Sequence, residues 1–166
     1  SLMAVKTVNT LSHYTDWTVA HVHSGSLGWV AMITIGSLYA MAPRALGRAA
    51  MHSHDAMRLH FWLHTAGTLL YVAAMWVSGV TAGLMWRATA ADGSLAYSFL
   101  ESLLAIKPFY VVRWLGGVLI LTGMVVMAWN LWHTAADARK RLIKPVPVPI
   151  PEPSAVQVPA PLPASN

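Results

Sequence analysis

WTVAHVHSGSLGWVAMITIGSLYAMA, residues 17–42, contains no Asp, Glu, Lys or Arg. It exceeds the roughly 20 residues a helix needs to cross about 30 Å of hydrocarbon. Two more stretches meet the same criterion, 59–85 and 110–132, and their only charged residue is Arg113, close to a span end where its head can snorkel to the interface. The whole chain is 56% hydrophobic and 10% charged, against about 25% charged residues in soluble domains. Water would leave that apolar surface uncovered, whereas lipid does not. The sequence therefore predicts an all-α integral membrane protein with three transmembrane helices.

The segments between and around these spans set an expected orientation. Residues 43–58 carry Arg44, Arg48 and Arg58 against Asp55, and the stretch after the third span carries Arg139, Lys140, Arg141 and Lys144. Excess Lys and Arg marks the cytoplasmic side, so the N-terminal segment 1–16 and the loop 87–109 are expected outside. Within that loop, 95–106 reads as a short amphipathic segment at the interface. Residues 134–166 read as a cytoplasmic tail, basic at first and then Pro-rich and extended. Several tryptophans fall near span ends, as an aromatic belt requires. Gly79 and Gly83 in span two, and Gly116, Gly117 and Gly123 in span three, are small residues that let backbones approach closely. The net charge of +5 is read as a topology signal, not as a sign of nucleic-acid binding. No secretory leader is evident, and the chain begins without Met, as a trimmed chain would.

The chain has no cysteine, so it has neither a thiolate metal site nor a Cys-x-x-Cys-His attachment for c-type haem. Any cofactor must be held by histidine or methionine. His21 and His23 stand near the start of span one. Positions i and i+2 of an α-helix point about 200° apart, so this pair cannot share one metal ion. Two readings follow. Each imidazole ligates a different cofactor on its own side of the helix, for which haem suits, or both are buried, neutral and hydrogen-bonded to neighbouring helices. Gly25 and Gly28, four and seven residues beyond His21, read as lying on the His21 face and leaving room for a flat macrocycle. His60 and His64, at i and i+4, could chelate a metal, and with His52 and His54 they could form an adventitious metal or proton-collecting site, but the four read better as a solvated loop beside a helix start. His133 reads as an interfacial residue.

The run HYTDWTVAHVHSGSLGWVAMITIGSLYAMAPR, with FWLHTAGTLLYVAAMWVSGVTAGLMWRA, ADGSLAYSF and VVRWLGGVLILTGMVVMAWN, closely resembles the catalytic subunit of cbb3-type cytochrome c oxidases, the C family of haem–copper oxidases. The resemblance covers most of residues 2–133 and implies that the three spans are the last of a twelve-helix bundle. It also implies two b-type haems. His21 would be axial ligand to the high-spin haem at the oxygen site, and His23 one of two axial ligands of the low-spin haem. His13 and Asp16 would lie near the haem propionates; Arg87 and Arg113 would reach propionates or, as the favoured reading, anchor at the interface. The copper ligands belong to earlier helices of such a subunit. The resemblance implies electrons from cytochrome c by way of membrane c-type cytochrome subunits, reduction of oxygen to water, proton pumping, and a place in the bacterial inner (plasma) membrane, with the N-terminus periplasmic. A nitric oxide reductase of the same superfamily is the alternative, with the Ser-Gly-x-Leu-Gly-Trp continuation favouring the oxidase. A cofactor-free helix bundle is the other.

Overall fold

A computed structural model describes residues 2–143, and the Pro-rich part of the expected tail lies outside that range. Among the described residues, three helices are long and apolar enough to cross a membrane, Asp16–Ala45, His54–Arg87 and Phe99–Arg141. A 3₁₀ turn at Leu2–Ala4 and a short helix α1 (Lys6–Ser12) precede the first span. That span is made of α2 (Asp16–His23), a π-helical stretch (Ser24–Val30) and α3 (Ala31–Ala45). The second is α4 (His54–Arg87) and the third α5 (Phe99–Ile143).

The helix starts follow from local chemistry. The Thr15 hydroxyl accepts from the Trp17 amide at 3.3 Å, and the Ser53 hydroxyl from Ala56 at 3.2 Å, satisfying amides that the first turn leaves without partners. At α5 the capping is reciprocal: the Ser98 hydroxyl accepts from the Glu101 amide, and the Glu101 carboxylate accepts from the Ser98 amide at 2.7 Å. This is the S-x-x-E pattern read in full. It starts α5 well before residue 110. The expected interfacial segment 95–106 is therefore not a separate element, because Phe99–Ile106 forms the first turns of the third long helix, which continues through Pro108. Proline lacks the amide of an i→i−4 bond, and α5 carries Pro108 without ending there. α3 likewise runs past Pro43 to Ala45. The expected tail is also shorter, since residues 134–143 extend α5 and bury Thr134 and Ala138.

In the 88–98 connection, Asp92 accepts from the hydroxyl and amide of Ser94, and those bonds hold its carboxyl below the usual carboxylate range. Gly93 takes the left-handed conformation of the turn, at φ 82°.

α4 is the central element. It packs along α5 on one side and under the first span on the other. Backbones touch where glycines allow it. A Cβ on Gly67 would stand 2.7 Å from the Gly116 carbonyl, and one on Gly116 2.7 Å from the Gly67 carbonyl. Gly79 lies against the backbone of Trp17 and Gly83 against that of Leu11. Gly117 meets nothing within 4 Å and plays no part in this packing. Ala20, Val72 and Met75 form the small apolar core, with Tyr71 at its edge. Many large hydrophobic side chains face outward, among them Trp29 at 69% and Trp132 at 75% exposure. An apolar surface that continuous calls for lipid or further helices.

Candidate functional site: two imidazoles on opposite sides of the first span

His21 and His23 occupy the last turn of α2, which is regular α-helix, so their divergence is the full i, i+2 angle. Ala20 faces α4, completely buried against Val72 and Met75. His23 turns to one side of that contact, its ring 5.1 Å from Tyr71 of α4. His21 turns to the other side and is exposed; its carbonyl accepts from the Ser24 hydroxyl at 2.7 Å, while its ring makes neither a hydrogen bond nor a ring contact among the described residues.

The tautomer of His23 is fixed by its backbone neighbour. Its Nδ1 lies 2.8 Å from the Val19 carbonyl, and a carbonyl only accepts, so Nδ1–H donates. The neutral ring then presents Nε2 as a lone pair aimed outward, the state in which an imidazole binds a metal. Beyond Tyr71 a groove of about 690 Å³ opens, lined by Tyr110, Arg113, Trp114 and Gly117. The Arg113 guanidinium lies 5.5 Å from the centroids of both Tyr71 and Tyr110. Arg113 is thus half-buried over two rings and lines the groove. Spacing hides this, since only the α4–α5 packing shows which way residue 113 points. Arg87 is exposed and donates to the Thr10 carbonyl at 3.3 Å, tying down the N-terminal segment.

The glycines behave differently from expectation. Gly25 is open, with nothing within 4 Å of a built Cβ. Gly28 is not on the His21 face: a Cβ there would meet Thr68 of α4 at 4.0 Å. The cause is the π-helical stretch. Its i→i+5 bonding turns the chain through a smaller angle per residue than an α-helix, and by residue 28 the drift has brought the glycine round to α4. The π stretch coincides with the Ser- and Gly-rich run 24–28.

His13 and Asp16 frame the start of α2. His13 is exposed and packs edge-on against Tyr14, with centroids 4.2 Å apart. Tyr14 holds a left-handed conformation, φ 62°, at the corner between α1 and α2. That is uncommon for a residue with a Cβ, and the corner is pinned by Thr15 and Thr18, whose hydroxyls both donate to the Ser12 carbonyl. Asp16 accepts from the Ser78 hydroxyl at 2.6 Å, so this carboxylate joins α2 to α4. Ser78 gives no sequence signal as its partner, since it sits in an apolar span far from Asp16 in the chain.

The remaining histidines correct the solvated-loop reading. His60 and His64 are 2% and 0% exposed, enclosed by the first span and α5, because α4 begins at His54 and both lie within it. His54 is exposed as expected. His52 donates from Nδ1 to Asp137 at 2.8 Å and stacks on His133 at 4.9 Å, so His133 is not an isolated interfacial residue. Among the described residues no group of three or more His, Cys, Asp or Glu converges on one point.

Residues 1–119 match the family model for cytochrome c and quinol oxidase polypeptide I. The chain belongs to this family. It is 57% identical over 138 residues to the cbb3-type cytochrome c oxidase subunit CcoN1 of Stutzerimonas stutzeri, covering 83% of this chain and 29% of that protein. It is 52% identical over 139 residues to cytochrome c oxidase subunit 1 of Rhodobacter capsulatus, covering 84% and 26%. Similarity to a nitric oxide reductase of Stutzerimonas stutzeri is lower, 30% over 121 residues. The chain spans less than a third of the length of these relatives.

Proposed function

We propose that this chain is the haem-bearing part of the catalytic subunit of a terminal respiratory oxidase of the cbb3 type. The observation that carries the reading is the His21/His23 pair: two imidazoles on opposite sides of one helix, with His23 locked by the Val19 carbonyl into the tautomer that leaves Nε2 free. The residues present fit two b-type haems. His21 stands open beside the side-chain-free Gly25 and would hold the iron of a high-spin haem. His23 would hold the iron of a low-spin haem, together with a residue from outside this chain. When bound, the two irons supply the redox chemistry, electron transfer and reduction of oxygen to water, together with a copper ion whose ligands lie outside this chain.

The protein's own contribution is positioning. The Val19 carbonyl fixes the ring plane of His23 and raises the basicity of its free nitrogen. The Ala20 contact with Val72 and Met75 fixes the rotation of α2, and with it the directions of both imidazoles. Arg113, held over Tyr71 and Tyr110, puts a fixed cation beside the His23 side, where it would meet a propionate. His13, exposed at the corner, would serve the same end. Asp16 would act through Ser78, holding the helix rather than touching a propionate directly, because two anions repel.

The positive-inside pattern supports a periplasmic N-terminus and a cytoplasmic C-terminal tail in the bacterial inner membrane. Lacking Cys-x-x-Cys-His, the chain would receive electrons from partner c-type cytochrome subunits fed by cytochrome c, and the enzyme would couple oxygen reduction to proton pumping. The test uses the full subunit in its complex. His21→Ala is expected to abolish high-spin haem absorbance and oxygen uptake, while His23→Ala removes the low-spin signal. Survival of high-spin haem and oxygen uptake in His21→Ala ends the proposal.

A further inference from the structure

The fully buried histidines of α4 have no part in the proposed haem sites. His60, His64 and Thr68 follow one another at i, i+4 and i+8, so they share one face and climb about 12 Å along the helix. Their exposures are 2%, 0% and 8%, and this chain alone buries them. Each carries a polar atom with no partner: Nε2 of His60, Nδ1 of His64 and Oγ1 of Thr68. One unpartnered buried polar atom costs about 1–3 kcal/mol. Three on one face, inside a span, describe a place for polar occupants.

The bonds already made fix much of the proton arrangement. His64 Nε2 lies 3.1 Å from the Leu27 carbonyl, which only accepts, so Nε2–H donates and the neutral ring has its lone pair on Nδ1. His60 Nδ1 lies 2.9 Å from the Tyr39 hydroxyl. If Tyr39 donates, His60 carries its proton on Nε2. One ring then offers a donor and the next an acceptor, with ring centroids 5.8 Å apart. That separation is too long for a direct bond between edge-on rings, but a single water spans it. Two nitrogens without a third ligand do not make a metal centre.

We propose that His60 and His64 form a water-bridged proton-holding site inside the membrane, a role beyond haem ligation that rests on the oxidase reading for its purpose. A proton enters at Tyr39, which is half-buried in the groove shared with Arg58 at the beginning of α4. The Tyr39 hydroxyl proton passes to His60 Nδ1, the His60 Nε2 proton to the water, and a water proton to His64 Nδ1, while Tyr39 is reprotonated from the aqueous phase. The net result is one proton taken up and one imidazolium at His64, still bonded to the Leu27 carbonyl. Beyond Thr68 the path closes against Val72 and Met75, packed on Ala20. The groups facing the pair are Tyr39 from α3, Thr68 from α4, and from α5 the backbone at Gly123, where a Cβ would stand 3.1 Å from His60 Cδ2; Arg58 lines the groove's mouth but is itself exposed. Histidine chains of this kind serve as relays in membrane pumps.

The test compares His64→Gln with His64→Leu in the full complex. Glutamine keeps a donor for Leu27 but does not take up a proton; leucine loses both. Expected for His64→Gln are unchanged haem absorbance, oxygen uptake within about twofold of normal, and proton ejection per electron reduced to about half or less. In pH-difference infrared spectra of the resting complex, the imidazole signal of His64 is expected to vanish in both variants. That signal is independent of turnover, so it reports on the histidine pair even if the oxidase reading fails. Normal proton ejection in His64→Gln, an infrared signal unchanged by the substitution, or equal loss of haem in both variants would overturn the proposal.

Discussion

The two ends of α4 are held by different physics. At the Gly79–Gly83 end, backbones lie directly on one another: Gly79 against Trp17 and Gly83 against Leu11. Polar bonds across this contact are few, chiefly Ser78 to Asp16 and Arg87 to Thr10. At the His54 end, hydrogen bonds do most of the joining. Asn130 of α5 accepts from the Ser53 amide at 2.9 Å and donates to the Ser53 carbonyl at 2.8 Å. The Thr134 hydroxyl accepts from the His52 amide at 3.0 Å, and Asp137 accepts from the His52 ring and lies 3.7 Å from Arg48. In lipid no hydrophobic force draws helices together, so association comes from close van der Waals contact or from polar bonds. The end that aims His21 and His23 uses the first, which fixes rotation and distance sharply. The other end ties a connection, and polar bonds suit irregular backbone whose amides need partners.

Gly79→Leu should do the most damage, because the new side chain has backbone in its way and backbone does not yield as a flexible side chain does. We expect a loss of about 3 kcal/mol or more, read as a lower melting temperature of the purified complex and weakened absorbance from both proposed haems, since α2 as a whole is displaced. If only one haem signal fell, the idea that this contact sets the rotation of α2 would be wrong.

Asn130→Ala comes next. It removes both bonds to Ser53 while Asn130 is fully buried, leaving the Ser53 amide and carbonyl without partners at an expected cost of about 1–3 kcal/mol. The effect should stay local: faster amide hydrogen exchange over residues 46–56 with both haem signals intact. Exchange spreading equally to residues 16–23 would show that the two ends are one cooperative unit and erase the contrast between them.

How far this contrast can be seen in the sequence depends on which interaction is at work. The three spans follow from apolar length alone, and the Gly79/Gly83 step from its spacing, because both are local patterns. The His21/His23 divergence is likewise local and needs only regular helix, which α2 provides. Gly28 departs from its expected face because a π-helical stretch changes the angle per residue, and nothing in a 3.6-residue period announces it. His60 and His64 read as solvated because their burial comes from the first span and α5, far along the chain. Asn130 falls in the expected third span and Thr134 in the expected tail, and neither stands out, since their partners are backbone groups of residues 52–53, and any residue could have supplied those. Pro108 hides the continuity of α5 even though the S-x-x-E cap at Ser98 is legible.

Asp137→Asn should have the smallest effect, and it sharpens the account of the polar end. Asparagine keeps an oxygen to accept from His52 and gives up the charge facing Arg48 and Lys140. Arg48 and Asp137 are partly exposed, at 16% and 28% of their side-chain surface. Ion pairs near solvent contribute up to about 1 kcal/mol, and salt screens them. The expected outcome is a stability change of that size at low salt that shrinks toward zero as salt is raised, with His52 still stacked on His133. A loss as large as that of Asn130→Ala, insensitive to salt, would mean that charge and not backbone satisfaction holds this end together. Arg48 Nε is itself buried without a partner, so the result also measures how much of that arginine's burial the Asp137 carboxylate offsets.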